Sequence, residues 1–156
     1  MSLPWNEVRT QVEEAVAVSA SGWGKVMPFS EAIHLSFSQQ AAQVGPRWAV
    51  LEWKDSRPEN WGLGLDGQSQ VLQLWLVDRG ISESGTAESR QMVRSRMESL
   101  AEDLILALQA LAVTCEEFRL DLGPPSAPFK ALAEKRESLH LALFSCRVTA
   151  VWSVSG

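Results

Sequence analysis

Between Thr86 and Ala112 the apolar residues Val93, Met97, Leu100, Leu104, Leu108 and Leu111 recur at three- and four-residue intervals, and Ala101, Ile105 and Ala112 widen the stripe. Arg90, Arg94, Glu98 and Glu102 occupy the other side, where Arg94 and Glu98 stand at a spacing that lets them pair. Met92 and Met97 fit a packed face rather than a cofactor site. The pattern is that of one long α-helix over residues 86–112 with a single apolar face. Such a helix cannot stand alone in water, so the rest of the chain must supply a second layer to cover it.

Runs that alternate with a period of two supply that layer, because successive strand side chains point to opposite faces. Ile33, Leu35 and Phe37 alternate with His34, Ser36 and Ser38, which predicts a strand over 31–39. In 47–54, Ala49, Leu51 and Trp53 oppose Trp48, Val50, Glu52 and Lys54, and these two strands are expected to be antiparallel neighbours. The run 70–78 sets Leu72, Leu74 and Leu76 against Val71, Gln73, Trp75 and Val77; apolar on both sides, it reads as a central strand. Residues 116–122 place Phe118, Leu120 and Leu122 opposite Arg119 and Asp121. Over 139–154, Phe144, Cys146, Val148, Ala150, Trp152 and Val154 share one side, while Leu139, Leu141 and Leu143 lie in the opposite phase. A bulge near Leu143 and Phe144 would reconcile the two, since one inserted residue exchanges the buried face.

A second amphipathic helix is predicted over about 3–18, with Trp5, Val8, Val12, Ala15 and Val16 on one stripe, Ser2 near its start and Pro4 in its first turn. After the irregular link GPPSAP, FKALAEKRES reads as a short helix. The expected fold is α+β: a mainly antiparallel sheet of about five to six strands, with the N-terminal helix and the long central helix packed on it. At 156 residues with 46% apolar composition, one domain over 1–156 is expected.

Composition narrows the function classes. A net charge of −5 without a dense Lys/Arg run argues against nucleic acid as a sequence-specific partner. The absence of a long apolar run argues against a membrane span, and MSLPWNEVRTQVEE lacks the basic-then-apolar pattern of a signal peptide, so a soluble, non-exported protein is expected.

Chemistry-bearing residues are sparse. Cys115 and Cys146 are far apart, and adding His34 and His140 makes a Cys2His2 set by count but without close ligand pairs; reduced thiols and no metal are the reading. Cys146 falls on the core side of its strand and is expected to react poorly. GLGLDG, residues 62–67, formally matches GxGxxG, yet it leads into a strand instead of a helix, so no nucleotide cofactor is expected and 55–69 reads as a long, flexible hairpin connection. Asp78 closes the run 70–78 before Arg79-Gly80, where a carboxylate commonly accepts local backbone hydrogen bonds; the turn role is preferred to catalysis. No GxSxG, HExxH or P-loop occurs, and no catalytic residue is assigned.

WNEVRTQVEEAV, GWGKVMPFSEAI, VLQLWLVDRG, RQMVRSRMESLAEDLILAL and SLHLALFSCRVTAVW together resemble the small structural proteins of tailed phages, and most of all the tail-terminator and head–tail joining (neck) group. The resemblance spans most of the chain as an order of elements and rests on no signature motif. It implies a ring, a hexamer in this group, that stops tail-tube growth and joins the tube to neck or connector proteins in the virion, after assembly in the bacterial cytoplasm. It carries no catalytic residues. By position, 55–69 corresponds to that group's extended hairpin, so Trp61 is the leading candidate for a subunit contact, with Leu63, Leu65, Trp48 and Trp53 as further candidates. The 7 Trp in a chain without Tyr suit an oligomer, and equally a Trp-rich core. The competing reading is a small acidic adaptor resembling secretion chaperones, although those usually end in a helix. An enzyme ranks third and would need a deep pocket gathering Asp78, Glu52 and His34.

Overall fold

The computed structural model describes residues 4–82, 84–115, 119–122 and 139–153, with the side chains of Pro4, Phe37, Asn60, Trp61 and Leu122 excepted. The order of elements is α1 (Pro4–Ser19), β1 (Lys25–Pro28), α2 (Phe29–Ala32), α3 (Phe37–Val44), β2 (Arg47–Gly62), β3 (Leu65–Asp78), α4 (Arg90–Thr114), β4 (Arg119–Leu122) and β5 (His140–Ser153). The strands form one five-stranded sheet in the order β1-β2-β3-β5-β4. β1 runs parallel to β2, and the other neighbours are antiparallel. The fold is therefore α+β with a mainly antiparallel sheet, as the alternating runs predicted.

The two amphipathic stripes meet one face of that sheet. Trp5, Val8, Val12 and Val16 of α1 and Val93, Met97, Leu100, Ala101, Leu104 and Leu108 of α4 are buried against Leu72, Leu74 and Leu76 of β3 and Ala142, Phe144 and Cys146 of β5. The long helix begins at Arg90 rather than near 86, because the Ser89 hydroxyl accepts the Met92 backbone N–H at 3.2 Å and caps it there. Met97 is buried as expected, but Met92 is exposed. Where α1 hands over to β1, Gly24 lies so close to the Arg47 carbonyl that a Cβ would stand 2.1 Å from that oxygen. Only glycine lets the two backbones approach at this joint.

Residues 31–39 are not a strand. Their place is taken by α2, a turn and α3, and the neighbour of β2 is the short parallel β1. The deciding chemistry is a capping box: the Ser36 hydroxyl accepts the Gln39 N–H at 3.2 Å, and the Gln39 side chain accepts the Ser36 N–H at 2.9 Å. Gln40 then secures the helix, donating to the carbonyls of Ala32 and Leu35 and accepting the Trp48 indole N–H at 2.8 Å. Ile33, expected on a buried strand face, is 60% exposed.

The bulge expected near Leu143 is also absent: β5 keeps one register with β3 from Asp78↔His140 to Leu65↔Ser153. The two phases of apolar residues have a different cause. Even-numbered positions such as Ala142 and Phe144 enter the α1–α4 core, whereas Leu139 and Leu141 join a second cluster on the opposite face with Met27, Trp48, Val50 and Val77. This smaller cluster is roofed by α2 and α3 through Ala32 and Ala41. The 55–69 connection is likewise structured: β2 and β3 continue their ladder to Gly62↔Leu65, with irregularities between Lys54 and Arg57 and between Asn60 and Gly62. Ser2, residues 116–118 of the next predicted strand, and the short helix predicted in FKALAEKRES lie outside the described residues.

Candidate functional site

The β2–β3 hairpin ends in a turn where Gly62, Leu63 and Gly64 have φ of 64°, 55° and 75°. Left-handed backbone suits the two glycines and is unfavourable for leucine. Leu63 is nevertheless 100% exposed, and Leu65 beside it is 40% exposed. A two-residue turn that closes a hairpin needs left-handed backbone at both positions, so the turn accounts for the φ of Leu63 but not for an aliphatic side chain fully exposed there.

The other predicted contact residues are placed differently. Trp48 is 0% exposed, its indole bonded to Gln40 beneath α3, so it has no surface to offer a neighbouring subunit. Trp53 is held by α1: its ring meets Trp5 edge to face at 5.8 Å, Arg9 stacks over it at 5.8 Å, and its N–H donates to Glu13 at 2.9 Å. Trp61 falls in β2, but its side chain lies outside those described. The hairpin tip thus narrows to Leu63 and Leu65.

At the opposite end of the hairpin, on the face away from α1 and α4, an apolar groove of about 290 Å³ is lined by Phe29, Ile33, Val50, Trp75, Leu141 and Gln40 among others. Phe29 is 37% exposed at its rim. Sequence reasoning missed this site because it depends on α2, which the short alternation around Ile33 concealed. Farther along the same face the register sets Glu52 beside Gln73 and Ser145, and Lys54 beside Val71 and Arg147, so the surface turns polar. There the Arg147 guanidinium pairs with the Asp55 carboxylate and donates to the Ser69 hydroxyl at 3.0 Å. With Arg57 also 2.9 Å away, these guanidinium groups hold Asp55 below the usual carboxylate range.

Asp78 closes β3 as predicted and accepts the Gly80 N–H at 2.8 Å. The sequence did not show that its second oxygen meets Arg96 of α4 at 2.9 Å, or that Glu88 grips the same guanidinium at 2.6 and 3.0 Å. Asp78 is wholly buried, and the hydrogen bonds from Arg96 lower the Glu88 pKa. His140 pairs with Asp78 across the ladder and is buried. Both carboxylates are occupied in tying α4 and the 80–89 connection to the sheet. Of the groups named for an enzyme, His34 lies in the exposed turn between α2 and α3 and Glu52 in mid-strand, so Asp78 is not gathered with them. Cys146 is buried, and desolvation pushes its thiol up to about 11; Cys115 is half-buried, and neither is in a disulfide.

Among the described residues no cluster of three or more His, Cys, Asp or Glu could hold a metal ion, and no helix is long and apolar enough to cross a membrane. The chain matches no model of a known protein family and no curated protein.

Proposed function

We propose that this chain is a structural subunit of a tailed-phage particle, a tail-terminator or neck protein that closes into a ring at the end of the tail tube and joins it to the head. Its role in this reading is architectural, with other copies of itself and the tube and neck proteins as partners. The observation that carries the reading is the hairpin tip, where Leu63 is fully exposed at φ 55°. The turn requires that backbone, but a leucine there, where glycine or asparagine would fit more easily, sets an apolar side chain in water, and such local costs persist where they serve a contact. The resemblance in element order adds the kind of assembly, and the charge of −5 suits the wall of a passage through which DNA slides without sticking.

The deciding test is the mass of the purified protein by light scattering after gel filtration, over a concentration series, with negative-stain images of the same fractions. Closed rings with a central hole are the expected result. A monomer at every concentration, both alone and when mixed with tail tubes, would overturn the reading.

A further inference from the structure

The strained, exposed leucine and the apolar groove lie at opposite ends of the same two strands. Leu65 and Trp75 are joined by one unbroken stretch of β3, paired on both sides, and at ~3.3 Å per residue they are roughly 33 Å apart. The tip therefore cannot fold back into its own groove.

We infer that the groove beneath α2 receives the hairpin tip of a second copy of this chain, with Leu63 as the inserted side chain, so that subunits join head to tail. This rests on the ring reading above and names the surface that reading leaves open.

The chemistry of the groove favours this occupant. Its lining is aliphatic and aromatic, and the amide of Gln40, its buried polar residue, is already committed to Ala32, Leu35 and Trp48. Both of its N–H groups are donated and its oxygen already accepts one hydrogen bond, so no donor is left to orient a polar ligand and an aliphatic group suits the space. A cavity of ~150 Å³ lined by aliphatic and aromatic side chains already accepts a benzene-sized molecule. About 290 Å³ is room enough for Leu63 with part of Leu65. Edge-to-edge strand pairing, the other way a long hairpin might meet its neighbour, is opposed on β2. Beyond Leu51, where β1 ends, that edge carries Lys54, Asp55 in a left-handed conformation at φ 55°, Arg57 and Pro58. Charges, a bulge and proline are the features that keep sheet edges from pairing. Because tip and groove are different surfaces, the contact is heterologous and repeats from copy to copy until a ring closes.

The test uses the full chain in a Cys115→Ser background. One preparation carries Leu65→Cys, which leaves the inserted Leu63 in place, and a second carries Ile33→Cys; both sites are exposed, so both variants should fold. The two are mixed and treated with a short bismaleimide. The expected result is a linked pair containing one chain of each kind, lost when the groove partner also carries Trp75→Asp, while a control thiol at exposed Val113 links to neither. Rings in the images without the Leu65–Ile33 link would overturn the groove assignment and leave the ring reading standing. The link in open filaments or dimers that never close would support the head-to-tail contact and count against the ring. No assembly and no link would overturn both.

Discussion

Arg96 bears on more than its own charge. Its guanidinium reaches Asp78 at the end of β3 and Glu88 in the connection that follows, and it is the cation that offsets a carboxylate with no solvent exposure. Replacing Arg96 with Met should leave Asp78 buried and unpaired. Breaking a buried pair from one side costs about 3–5 kcal/mol, and the urea midpoint should fall accordingly. Glu88 makes the same contact sensitive to acid. Arg96 lowers its pKa from 4.5, so the stability it contributes is present above its unfolded value and is lost as pH falls through the lowered, folded value. Glu88→Gln removes that titration, and its urea midpoint should change less than that of the parent protein between about pH 6 and about pH 3. Asp78 was recognisable from the sequence as a strand-end residue. Its partner was not, because Arg96 lies 18 residues away and is brought back only by the packing of α4.

At the scale of elements, α1 and α4 show why some segments declare themselves. Their apolar residues recur over several turns, and a repeat of that length has one interpretation. The segment around Ile33 is too short for its period to decide anything, and Ser36-x-x-Gln39 was the informative feature there. Ser36→Ala should cost about 1 kcal/mol by removing the N-cap acceptor of α3. If the α3 cap matters as argued, the loss will appear in urea unfolding, whereas an unchanged midpoint would deny the cap its role. A similar loss is expected from Ser89→Ala at the start of α4, whose hydroxyl meets the Met92 N–H without a reciprocal side chain.

The whole molecule is a sheet with unequal covers, a large one of α1 and α4 and a small one of α2 and α3. β3 lies in the middle, bonded to β2 along one side and to β5 along the other. Amides of residues 70–77 should therefore exchange with deuterium most slowly, and those of 55–62, on the β2 edge beyond the reach of β1, much faster. Exchange measured by mass spectrometry on peptic fragments checks this ordering, and slow exchange across 55–62 in dilute monomer would contradict it. On assembly, the tip and α2 should gain protection together if one occupies the other.

The composition of the two large helices, the central position of β3 and the burial of Cys146 were all readable from local pattern. The side chains of one element repeat at the period of its own backbone, and that information lies within a few turns or a few strand residues. The hairpin, the second cover and the groove left no such pattern. Residues 55–62 and 65–69 are strand because they extend the β2–β3 ladder, with β5 paired beside 65–69, and backbone hydrogen bonds place no demand on which polar side chains are carried. The two apolar phases of β5 looked like a bulge until α2 and α3 were found roofing the far face. Which surface stays open depends on contacts between residues distant in the chain, and it was there, at Leu63 and beneath α2, that the candidate interface emerged.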